Sequence, residues 1–67
     1  MNCRELLSKG TELLKKQGIN SPRLDAEVLL ASAWGRERAD LLIFSEDQVP
    51  KEVQRVFYDL LEQRSKG

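Results

Sequence analysis

The side chains able to do chemistry in this sequence are few and scattered. Asp25, Glu27, Asp40 and Glu46 are candidate general acids or oxygen ligands, but none stands in the paired arrangement of an acid–base couple or in the ligand spacing of a cation loop, so they read as solvated surface carboxylates. Glu46-Asp47 is too short for a calcium loop, and no ligand pattern follows it. Ser21 and Ser45 are nucleophiles in type only. The chain has no His and no base beside either hydroxyl, so capping and turn formation account for both. Cys3 is the single cysteine, which excludes an internal disulfide, a Cys/His zinc cluster and a Cys-His pair. It reads as a packed side chain or one near a frayed end, with only Arg4 and Lys9 nearby to favour a thiolate. The four glycines stand singly, without the glycine-rich turn that cradles a phosphate or a nucleotide. On these grounds the segment is expected to bind no cofactor and no metal.

Charge narrows the partners. Eleven Lys and Arg balance eleven Asp and Glu, and the acids are interspersed among Arg23, Arg36, Arg38, Lys51 and Arg55. This argues against a phosphate-dominated nucleic-acid surface, which needs an excess of cations. No apolar run approaches the roughly 20 residues that span a bilayer, and the first residues lack the basic-then-apolar pattern of a secretory signal. An intracellular, soluble domain without a membrane partner is expected. With 67 residues, one small domain fits, and it buries only about 60% of the surface its unfolded chain exposes. Helix packing, or packing against a partner, has to supply its stability.

The elements that position these residues are helical, because apolar residues recur at helical spacing almost throughout. Cys3, Leu6, Leu7, Gly10, Leu13 and Leu14 fall within an arc of about 120°. This predicts a helix from about Cys3 to Gln17, with Lys15 and Lys16 at its negative end and Gly18 in the left-handed position after it. Gly10, inside the apolar arc, marks a close approach by a neighbouring helix. Asn20-Ser21-Pro22 is the clearest boundary: Ser21 is the expected cap, and Pro22 at the first helical position gives up a donor the helix does not use. The second helix is expected over Pro22–Trp34, stopping at Gly35. Its apolar residues make two stripes, Ala26, Leu29, Leu30, Ala33 and Trp34 on one side and Leu24, Val28 and Ala31 on the other. Such a helix is central in a bundle or offers a face to something else. Trp34 reads as a core or edge anchor. Ala39 to Phe44 suggest a short helix, and Ser45-Glu46-Asp47-Gln48 a turn. Val49, Val53, Val56, Phe57, Leu60 and Leu61 describe an amphipathic helix opened by Pro50, running to about Gln63 or Arg64 before Ser65-Lys66-Gly67 frays. The expected fold is all-α, a small four-helix array of three longer helices and one short one.

The order Gly18-Ile19-Asn20-Ser21-Pro22-Arg23-Leu24-Asp25-Ala26-Glu27-Val28-Leu29-Leu30, then Gly35 and a short apolar segment, then a last helix ending at Arg64, resembles the N-terminal helical domain of the bacterial peptide chain release factor glutamine methyltransferases (HemK/PrmC). The resemblance covers nearly the whole chain and is most specific over Ser21–Glu27 with Leu29-Leu30. Two positions depart from the family pattern: Pro50 stands where a hydroxyl cap is common, and Ser65 where a second basic residue often follows Arg64.

The resemblance implies that residues 1–67 are an accessory domain of a longer cytoplasmic protein. The absent catalytic part would be a doubly wound α/β methyltransferase that uses S-adenosylmethionine to methylate a release-factor glutamine on its side-chain nitrogen. Asn20-Ser21-Pro22 is not that family's catalytic Asn-Pro-Pro-Tyr, which belongs to the absent domain, so no residue here is expected to be catalytic. The expected partners are the release factor and the chain's own catalytic domain, with Arg23, Leu24, Asp25, Val28, Arg38 and Arg64 as candidate interaction residues. A structural cover for the catalytic domain is the alternative, and a nucleic-acid-binding module a more distant one.

Overall fold

The computed structural model describes residues 1–66. Four helices follow one another: α1 (Cys3–Lys16), α2 (Pro22–Trp34), α3 (Arg38–Ile43) and α4 (Lys51–Lys66). The all-α expectation holds, including the short third helix, and among the described residues the only β-type pairing is an isolated bridge between Asn2 and Gln48.

The first turn of α1 leaves no donor idle. Glu5 N donates to Asn2 Oδ1 at 2.8 Å, and Asn2 N returns a bond to Glu5 Oε1 at 3.2 Å, forming a reciprocal capping box. Leu6 N bonds Asn2 O, while Cys3 N and Arg4 N donate at 2.9 Å to Asp47 O and Ser45 O. The helix start is therefore tied to the segment before α4, a connection that periodicity does not reveal. Val49 N closes the same clamp on Met1 O at 3.1 Å, and Val49 is buried ahead of α4 rather than within it.

α1 ends as expected, with Gly18 at φ 78°. α2 has the bounds read from its sequence and ends at Gly35, φ 71°. Its cap differs from expectation. Ser21 occupies the N-cap position but makes no side-chain capping bond. Its ψ of 66°, against 170° at the capping Asn2, turns the chain so that Oγ is not carried over the first amides, and only Ser21 O takes part, accepting from Asp25 N at 3.0 Å.

α2 packs against each of the other three helices, so it is the central one. The core contains Leu6, Leu7 and Leu14 from α1, Ala26 and Leu30 from α2, Leu41 from α3, and Phe57 and Leu61 from α4. Three residues of the expected stripes lie elsewhere. Ala31 is buried, because the chain reverses over it after Gly35 and Arg36 N bonds its carbonyl at 3.0 Å. Leu13 and Val56, at the edges of their apolar arcs, are exposed. α4 also runs to Lys66 rather than stopping at Gln63 or Arg64. Arg64, near its end, is fastened to α2 by an ion pair, which holds the last turns against fraying. The expected fraying of Gly67 falls outside the described residues. No helix is long and apolar enough to cross a membrane.

Candidate protein-interaction site

α2 presents Arg23 and Glu27 one turn apart, and the start of α3 brings Arg38 to the same carboxylate. Arg23 Nε lies 3.0 Å from Glu27 Oε2, and Arg38 Nη2 lies 3.0 Å from Glu27 Oε1. Each oxygen thus takes one charge-assisted bond. The Glu27 side chain is only 13% exposed, whereas those of Arg23 and Arg38 are 47% and 52% exposed. Burial by itself would raise the Glu27 pKa. The hydrogen bonds and positive charges of Arg38 and Arg23 outweigh it and hold the carboxyl below its ordinary value. The cluster carries one net positive charge, with both guanidiniums facing partly into solvent.

Beside it, Leu24 and Val28 are 43% and 48% exposed. At i and i+4 they form one apolar strip along α2. Asp25 points elsewhere, to Arg64 Nε at 3.2 Å, where the two residues border a cavity of about 320 Å3 with Gly18, Ile19, Asn20 and Ser21. The six candidate residues therefore divide into two ion-paired groups, Arg23 with Arg38 through Glu27, and Asp25 with Arg64, plus an apolar strip. Only Arg23–Glu27 has a local sequence signal. The Arg38–Glu27 and Arg64–Asp25 pairs span 11 and 39 residues and depend on how the helices pack.

A second exposed region was not anticipated. Leu42 and Ile43, at the end of α3, are 64% and 70% exposed, and Phe44 follows at 41%. The Arg36 guanidinium lies 4.2 Å from the Trp34 ring centre and 5.2 Å from that of Phe44, both within cation–π range. Trp34 itself packs against the core, as expected of an anchor.

The remaining chemically competent groups are structural. Cys3 is fully buried, with Sγ 3.7 Å from Leu41 O. Burial pushes its thiol pKa up, against the opposing charges of Arg23 and Arg36 and with a small addition from Asp47, which keeps it a thiol. Asp40 Oδ2 accepts from Glu37 N at 3.3 Å, and Glu46 pairs with Arg4 at 2.9 Å in solvent. Among the described residues no group of three metal-ligating side chains converges.

Comparison with known proteins finds one family. The family model of the PrmC N-terminal domain matches residues 5–67. The release factor glutamine methyltransferase of Rhodopirellula baltica is 49% identical over 63 residues, which cover 92% of this chain and 21% of that protein. The enzyme of the same name from Haemophilus influenzae is 34% identical over 68 residues, covering 100% of this chain and 23% of that protein. That from Deinococcus radiodurans is 29% identical over 65 residues, 97% of this chain and 23% of that protein. No solved structure matches. The chain spans about a fifth of the length of the curated relatives it matches. With the family model covering all but the first four residues, this chain belongs to the PrmC N-terminal domain family.

Proposed function

We propose that this chain is the accessory domain of a cytoplasmic protein-glutamine N5-methyltransferase, and that it helps bind and orient a peptide chain release factor while the rest of the parent protein transfers the methyl group from S-adenosylmethionine. Family membership supports the setting. The observation that carries the recognition role is the exposed Leu24–Val28 strip beside the half-exposed Arg23 and Arg38. An apolar centre with arginines at its edge is the composition of a protein-binding patch.

Transfer requires the glutamine nitrogen to be held in line with the donor's methyl carbon in a formed cleft, and that work is assigned to the absent part. Contacts made far from the reacting atoms contribute by holding the whole release factor in register, so they raise kcat/KM for the intact substrate and leave a short peptide unaffected.

The test is a full-length parent enzyme carrying Leu24→Ala and Val28→Ala, assayed on intact release factor and on a short glutamine peptide. Both side chains are exposed, so the fold is retained. The expected result is a loss of about tenfold in kcat/KM on the release factor, the equivalent of ~1.4 kcal/mol of lost contact, with the peptide rate unchanged. Equal losses on both substrates, or none, overturn the recognition role and favour a structural cover.

A further inference from the structure

We propose that Leu42, Ile43 and Phe44, together with Arg36, form the surface on which the remaining part of the parent polypeptide docks, through an apolar patch that carries a carboxylate for Arg36. The proposal rests on the family membership shown above and is independent of the recognition role assigned to α2.

Three observations lead to it. The first is exposure: three consecutive large apolar side chains, 64%, 70% and 41% exposed, end a helix of 6 residues. Only Leu41 of that helix is buried. Single exposed apolar residues are ordinary, whereas three in succession at one helix end offer a partner several anchors in a short stretch of surface.

The second is charge. Arg36 is half-buried and held between the Trp34 and Phe44 rings, yet none of the ion pairs among the described residues involves it. A guanidinium stacked on aromatic faces has lost much of its freedom before a partner arrives, so pairing it with an incoming carboxylate costs less ordering. The surface thus asks for an apolar partner with an acidic group.

The third is size. These side chains expose a few hundred Å2, well short of the ~800 Å2 that each partner of a standard free-standing complex buries. A patch this small holds a free partner weakly, and a tether makes up the difference, because a short flexible linker supplies an effective concentration in the millimolar range. The matched relatives are more than four times as long as this chain, which covers 21% to 23% of them. The rest of the same polypeptide is therefore the occupant that the size of the patch suits, rather than a second copy or a diffusing substrate.

The experiment uses the full-length protein with a photo-reactive phenylalanine at position 43, irradiated alone and with intact release factor, and the cross-linked peptides identified by mass spectrometry. The expected product joins position 43 to a peptide beyond residue 67 of the same chain, in a yield unchanged over about a hundredfold dilution and unaffected by release factor. A cross-link to the release factor alone, a yield that rises with protein concentration, or no product beyond the chain's own first 67 residues overturns the proposal. A second measurement uses Ile43→Asp, at a position too exposed to affect the core. It is expected to speed proteolytic cleavage between the two parts of the full-length protein by about tenfold, the loss of one anchor of a small interface. Cleavage at the wild-type rate overturns the proposal as well.

Discussion

Phe57 on α4 lies over Gly10 on α1 so closely that a Cβ at position 10 would sit 2.5 Å from Phe57 Cζ and 3.0 Å from Cε2. Gly10 thus gives up helix propensity, about 1 kcal/mol relative to Ala, to let an aromatic ring with no exposed surface approach the α1 backbone. Gly10→Ala is expected to be destabilising despite its better propensity. The Phe57 ring is enclosed, and overpacking of this kind costs about 1–3 kcal/mol. Urea unfolding of the chain checks this, as does the double variant Gly10→Ala, Phe57→Leu. That variant should lose less than the sum of the two single changes, because the shorter side chain vacates the space that the new methyl needs.

Glu27 joins α2 to α3 through two guanidiniums, and this makes stability depend on acid. Its folded pKa is lowered, so the carboxylate's contribution is whole above the ordinary carboxyl value of about 4.5 and disappears as the pH falls through the lowered folded value. Since both arginines are about half exposed, screening keeps the pair of bridges to about 1 kcal/mol. Glu27→Gln is expected to lower stability by about that amount at pH 7, and the gap between variant and wild type should close as the pH falls below 4.5 and through the lowered folded value. A gap that persists at low pH would mean that packing of the side chain, rather than its charge, links the two helices. Denaturant midpoints across that range measure it.

What could be read from the sequence follows from the range of the signals. The bounds of α2 and the left-handed glycines after α1 and α2 are written locally, in Ser21-Pro22, Gly18 and Gly35, and so is the Arg23–Glu27 pair at i,i+4. Periodicity also places Leu6, Leu30, Phe57 and Leu61 inside. It reports which side of a helix is apolar but not which neighbour covers it. That is why the pattern groups Ala31 with Leu24 and Val28, although the reversal after Gly35 buries it and leaves the other two in solvent. The partners of Arg38 and Arg64 are set by helix packing over 11 and 39 residues, beyond any local pattern. The run Leu42–Phe44 likewise reads as part of a short helix with no local sign of which side is covered, and the structure shows that only Leu41 of that helix turns inward.

The two helix starts that look most alike in sequence differ in what their caps do. Asn2 and Ser21 are both residue types that cap helices, and Asn2 makes the capping bond at 2.8 Å while Ser21 makes none. Asn2→Ala is expected to cost about 1 kcal/mol, within the 0.5–2 kcal/mol range for a lost cap. Part of that cost arises because Glu5 N loses its acceptor and the amides of Cys3 and Arg4 depend on the same turn to reach Asp47 O and Ser45 O. Ser21→Ala should stay within about 0.5 kcal/mol of wild type, as an exposed change that removes no bond. Amide exchange separates the two cases: Asn2→Ala should speed exchange at Glu5 and at Cys3 and Arg4 together, since capping box and clamp are one unit, while Ser21→Ala leaves the first turn of α2 unchanged. If Ser21→Ala proved the costlier substitution, the serine would be capping α2 in solution, and the chain before Pro22 would have to adopt the extended ψ that Asn2 has.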